Sequence, residues 1–102
     1  MGDGRKENPY TREDVLRLIK ENGDKANGLD LSGKHFAKGI DLRQFNLQGI
    51  ILKKAILEGA HLEEADLWVA HLEGTDLRGA HLEGAILKDA KFSPGTRLAP
   101  AD

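Results

Sequence analysis

The side chains able to do chemistry in this sequence are few, and their spacing limits what they could do. His35, His61, His71 and His81 are its four histidines, and imidazole is the usual proton carrier and nitrogen ligand near neutral pH. Ser32 and Ser93 are the two serines. Neither has a histidine and an acid placed to complete a nucleophilic triad, so no catalytic residue is assigned and no enzyme activity is expected. With no cysteine in the chain, a disulfide framework and a thiolate metal site are both ruled out. The glycines recur in step with leucines rather than in a phosphate-cradling loop, so no cofactor-binding residue is assigned and no cofactor is expected.

At 102 residues the chain has room for one small domain, since a separate core takes roughly 50 residues or more. Charged residues make up 31% and the formal net charge is −2, a balance that argues against nucleic acid or an anionic membrane as partner. Met1-Gly2-Asp3-Gly4-Arg5-Lys6 is polar, without the apolar run of a signal peptide. Lys6 stands where a myristoylation site needs Ser or Thr. No apolar stretch reaches the length of a membrane span, and a cytoplasmic setting is expected. Aromatics are limited to Tyr10, Phe36, Phe45, Trp68 and Phe92, so the apolar groups must be organised otherwise than around a ring-filled globular core.

That organisation is a five-residue period. Leu42, Leu47, Leu52, Leu57, Leu62, Leu67, Leu72, Leu77, Leu82, Leu87 and Phe92 form an unbroken column. Two residues before each runs a second column, Ile40, Phe45, Ile50, Ala55, Ala60, Ala65, Ala70, Thr75, Ala80, Ala85 and Ala90. Two residues after the leucine, glycine recurs at Gly49, Gly59, Gly74, Gly79 and Gly84. A period of five fits neither the 3.6 of a helix nor the 2 of a long strand. The pattern is therefore neither a coiled coil nor a sandwich.

The repeat resembles that of the pentapeptide-repeat family, whose consensus is A-(D/N)-L-x-x. Ala65-Asp66-Leu67 and Thr75-Asp76-Leu77 match it closely. The resemblance covers about half of the chain strictly and implies an all-β solenoid, a right-handed quadrilateral β-helix with one pentapeptide per side and four sides per coil. The strict register spans 40–92, and 29–39 are irregular first repeats that complete a β-helix over 29–93. In these first repeats Lys34 takes a place meant for a small inward residue, and Gly39 is one residue too many and is expected to bulge.

Residues 1–28 are expected to be an N-terminal tail followed by a short α-helical cap at about 12–22. Thr11 is the N-cap, with Glu13 and Asp14 in the first turn. Val15, Leu16, Leu18 and Ile19 form its apolar side, and so short a helix must dock to persist. At the other end Phe92-Ser93-Pro94-Gly95 reads as a stop, leaving 94–102 as a C-terminal tail. The last coil then exposes its leucine layer. Three outcomes are open: Leu98 folds back as a lid, two molecules pair end to end as a homodimer, or the chain continues beyond Asp102.

With four repeats per coil, residues twenty apart are stacked neighbours. Arg43 then lies over Glu63, Lys53 over Glu73 and Glu58 over Arg78, opposite charges that support the register. His61 and His81 stack near Asp41 in the slot the family fills with Asp or Asn, and are read as surface substitutions with no metal role. Trp68, Val69 and Ile86 form an outward apolar cluster where other repeats carry polar residues, and they are the candidate interaction surface. The expected function is a non-catalytic scaffold or protein-interaction module, bacterial and cytoplasmic, with an unidentified protein partner. The alternatives are a DNA-mimicking, gyrase-directed protein, which a charge of −2 and three coils argue against, or the N-terminal repeat domain of a longer protein.

Overall fold

A computed structural model describes residues 1–98. The repeats coil as a β-helix held by single-residue parallel bridges between neighbouring coils. Asp41 pairs with His61, Asn46 with Asp66, Ile51 with His71, Ile56 with Asp76 and His61 with His81, each twenty residues on. One coil is therefore four pentapeptides. From Leu42 to Leu77 the N–H of each inward leucine donates to the coil above, as Leu42 does to His61 O and Leu62 to His81 O at 2.8 and 2.9 Å. Reciprocal bonds run from His61 N to Ile40 O and from His81 N to Ala60 O. The ladder thus satisfies the backbone polar groups that burial strips of water.

From Leu42 to Ala90 the corners are the same turn. The N–H of the small inward residue donates to the leucine carbonyl three residues earlier, as Ala60 does to Leu57 and Ala65 to Leu62. The residue two after the leucine has positive φ at each of Gln44, Gly49, Lys54, Gly59, Glu64, Val69, Gly74, Gly79, Gly84 and Asp89, the mark of a type II turn. Glycine suits this position but does not monopolise it. Inside, the leucine column from Leu42 to Leu77 is buried, and Ala55, Ala60, Ala65, Ala70 and Thr75 are sealed completely. Thr75 is tolerated because its hydroxyl donates to Leu52 O at 2.7 Å.

Departures from regularity are local. Asp30 pairs with Ile51 and His35 with Ile56, twenty-one residues apart, so one residue is indeed extra. Gly39 is not the bulge, however. It occupies an ordinary corner with φ 74, closed by Ile40 N to Ala37 O, and the surplus is absorbed before it. There Phe36 pairs with Tyr10 and Ala37 N donates to Tyr10 O. Residues 1–10, expected as a tail, are thereby built into the fold. His35 N donates to Gly4 O at 2.7 Å, and a Cβ on Gly4 would meet the Tyr10 ring at 2.7 Å.

The stop expected at Pro94 is also corrected. The ladder runs on, with Asp76 bridged to Arg97 and Thr96 Oγ1 donating to Leu72 O, as Thr75 does to Leu52 O. Pro94 sits in a turn closed by Thr96 N on Ser93 O at 2.9 Å, where no ladder N–H is required of it. The Ser93 hydroxyl replaces a carbonyl by accepting the Gly74 N–H. Leu82 and Leu87 are only partly buried, and Phe92 is 44% exposed. Leu98 is 56% exposed and does not cover them as a lid.

Helix α1 spans Arg12–Glu21. Thr11 and Asp14 form a reciprocal capping box, and Asn22 ends the helix. Val15 is buried in the core cluster, with Leu18 and Ile19 packed against it. Arg12 lies over the Phe45 ring at 5.3 Å, a cation–π contact to the coil.

Candidate interaction groove

The residues of α1 define the site's first wall. A step of 100° per residue turns Leu16 away from the side that Val15 buries, and Leu16 is 44% exposed. The sequence places it with the capping side chains, but it lines a cleft of about 620 Å³ between α1 and the solenoid. Leu16, Ile19 and Ala26 line the cleft with Phe45, Trp68 and Val69, and Gln44, Gln48 and Asn46 supply polar groups.

Trp68 is held from behind. Asp66 Oδ1 accepts the Trp68 backbone N–H at 3.1 Å, and the Gln48 side-chain amide donates to Asp66 Oδ2. The backbone is pinned while the indole stays 43% exposed. Val69 occupies the positive-φ corner position with φ 52, where a β-branched side chain is a true outlier costing roughly 1–2 kcal/mol. A strained residue beside an exposed aromatic is a pointer to function. Replacing Val69 with glycine should raise stability by about 0.5–1 kcal/mol in urea unfolding, after the entropy glycine adds to the unfolded chain. A loss of stability would show that the valine's packing outweighs its strain.

Of the three residues singled out in the sequence, Trp68 and Val69 line the cleft, whereas Ile86 lies one rung on, 48% exposed and outside the lining. The sequence reads α1 first as a hydrophobic cap and second as a partner-binding helix, and the signal for the second is Leu16, since Val15, Leu16, Leu18 and Ile19 span more than one helix face can bury.

On the ladder faces the charges pair differently from the expectation. Arg43 bonds Asp41 in its own rung through Nε at 2.9 Å and its terminal nitrogen at 3.0 Å. Arg78 does the same with Asp76, at 2.8 and 2.7 Å. The acid preceding each leucine also accepts the N–H two residues later, which fixes it within reach of that arginine. Glu63 and Glu58 act on these arginines only as nearby charges. Among the described residues, side chains bond each other across rungs at Gln44 to Glu64, at 3.0 Å, and at Gln48 to Asp66. The Arg43 guanidinium and backbone N–H hold the Asp41 carboxyl far below the usual range. His61 and His81 stack as expected, with ring centroids 4.5 Å apart and planes within 5°. Their carboxylate neighbour is Glu63 rather than Asp41, with Oε2 at 3.3 Å from His61 Nδ1. Among the described residues no helix is long and apolar enough to cross a membrane.

The sequence profile of the family described as pentapeptide repeats matches residues 38–68 and 69–93. Among solved structures, HetL, a pentapeptide repeat protein involved in heterocyst differentiation regulation in the cyanobacterium Nostoc, is 34% identical with a TM-score of 0.50. The alignment covers 64% of this chain and 32% of HetL, so the chain spans about a third of that relative's length. A second Nostoc pentapeptide repeat protein is 27% identical over 86% of this chain and 87% of its own, with a TM-score of 0.47. One from the thylakoid lumen of Arabidopsis thaliana is 32% identical over 69% of this chain and 61% of its own, with a TM-score of 0.39. No curated protein matches in sequence. The family match and the likeness to HetL make the solenoid a right-handed β-helix.

Proposed function

The chain belongs to the pentapeptide-repeat family, and from that premise we propose that it is a non-catalytic interaction module which binds a protein partner in the groove between α1 and the Trp68 corner. The observation that carries this is the pairing of a 43%-exposed tryptophan with a strained Val69 opposite Leu16. Tryptophan is the residue most enriched at energetic hot spots, and an apolar cleft with a polar rim suits an inserted side chain. In this proposal α1 has two roles, capping the first coil through Val15 and walling the groove through Leu16. A cytoplasmic setting suits a cysteine-free chain. Self-pairing through the last coil, where Phe92 is 44% exposed, is the other use of apolar surface.

The test is affinity capture with wild type, Trp68→Ala and an unrelated surface control, Lys91→Ala, alongside light scattering of each. A protein retained by wild type and control but lost with Trp68→Ala supports the groove. Equal retention by all three overturns it. A wild-type mass of two chains that survives Trp68→Ala assigns self-association to the last coil instead.

A further inference from the structure

We propose that His61, Glu63 and His81 form a binding site for a divalent transition-metal cation of the zinc or nickel type. One ligand atom from each lies within 4.8 Å of the others. The twenty-residue coil places the two histidines directly opposite each other on adjacent rungs, where cross-rung side chains are within reach of a shared ligand. Their rings are parallel at 4.5 Å, so the edge nitrogens run side by side. Small side-chain rotations bring them onto one cation, and the 41% exposure of the His61 side chain leaves room for that.

Glu63 supplies the third ligand. Its Oε2 is 3.3 Å from His61 Nδ1, while its Oε1 is shielded from solvent and has no hydrogen-bond partner. Glu73 Oε1 beside His71 is shielded and unpaired in the same way, so the oxygen alone does not mark a site, and the stacked second imidazole is what sets this face apart. The cation nearest in sequence pattern, Arg43, is committed to Asp41 through two bonds, so it does not occupy that oxygen. Two imidazoles and one carboxylate are a recurrent zinc set that leaves a position open for water. They favour zinc, nickel or copper over magnesium and calcium, which prefer all-oxygen shells. His71 belongs to another face and bridges to Ile51 and Lys91, so it has no stacked imidazole above or below it.

The experiment is calorimetric titration of the tag-free chain with zinc, nickel and magnesium ions, about one unit above the ordinary imidazole value of roughly 6.5. Wild type, His81→Asn, Glu63→Gln and His71→Asn are compared after their thermal melts show that each is folded. Expected are one zinc or nickel ion per chain, weakening by at least about tenfold in His81→Asn, a smaller loss in Glu63→Gln, and wild-type binding in His71→Asn. Imidazole resonances of His61 and His81, and not of His71, should shift with added zinc. Lack of saturable binding, or binding that survives His81→Asn unchanged, would overturn the assignment.

Discussion

Leu62→Ala is expected to destabilise the protein by about 2–5 kcal/mol, a large share of what holds a domain of this size together. Leu62 is 1% exposed in the middle of the stack. The coils above and below are pinned by backbone bonds, Leu62 N to His81 O and His61 N to Ile40 O. They cannot collapse into the space the side chain leaves, so the cavity persists and the cost falls near the upper end. Leu87→Ala removes the same atoms from the half-open last coil and should cost far less, about 1–2 kcal/mol. Urea unfolding of the two variants makes the comparison. Equal losses would show that the stack is not closed around its middle coils.

The second large effect belongs to Asp14. Its carboxylate is 3% exposed and accepts from Thr11 N at 2.8 Å, Thr11 Oγ1 at 2.9 Å and Gly2 N at 2.9 Å. One side chain therefore closes the capping box and ties residues 1–10 to α1. Asp14→Asn keeps the shape and one oxygen on these three donors, but it loses the charge and turns its NH2 toward the Arg17 guanidinium that Oδ1 accepts from at 3.5 Å, and should cost about 1–3 kcal/mol. The same bonds, that of the Thr11 N–H foremost, hold the carboxyl below its usual range although burial opposes them. Because the folded value lies below the unfolded one of about 3.9, the contribution is present above that pH and is lost as pH falls through the folded value. The stability difference between wild type and Asp14→Asn should be constant from neutral pH down to about 4 and shrink below it. A difference independent of pH would mean that Asp14 acts through packing alone.

Much of this was legible because the solenoid repeats one local solution. A leucine in every fifth place buries on a five-step coil, and the residue two before it had to be small where the tube is tight. Both columns, from Leu42 to Leu77 and from Ala55 to Ala70, are buried as the spacing demanded. What escaped the sequence lies where periodicity is absent. Residues 1–10 join the fold through backbone bonds and the close fit of Gly4 to Tyr10, which leave no pattern. Pro94 looked like a stop because a proline interrupts a ladder, yet it falls in a turn where its missing N–H costs nothing. Arg43 and Arg78 were assigned to the next rung, but an acid two residues away was already fixed by the turn. The groove was half legible. Trp68 and Val69 stood out as apolar residues in polar slots, while the wall formed by Leu16 depends on where α1 docks, which no local spacing encodes.

Trp68 and its groove are the proposed working surface, and the chain's single tryptophan makes that directly measurable. A protein captured by wild type is titrated into the chain while Trp68 emission is followed, and its affinity for Trp68→Ala is measured by calorimetry. The groove reading predicts a blue shift that saturates with the partner and an affinity at least about tenfold weaker for Trp68→Ala, as for other truncated aromatic anchors. An unshifted emission with unchanged affinity for Trp68→Ala would contradict it and move the interaction to another face of the β-helix.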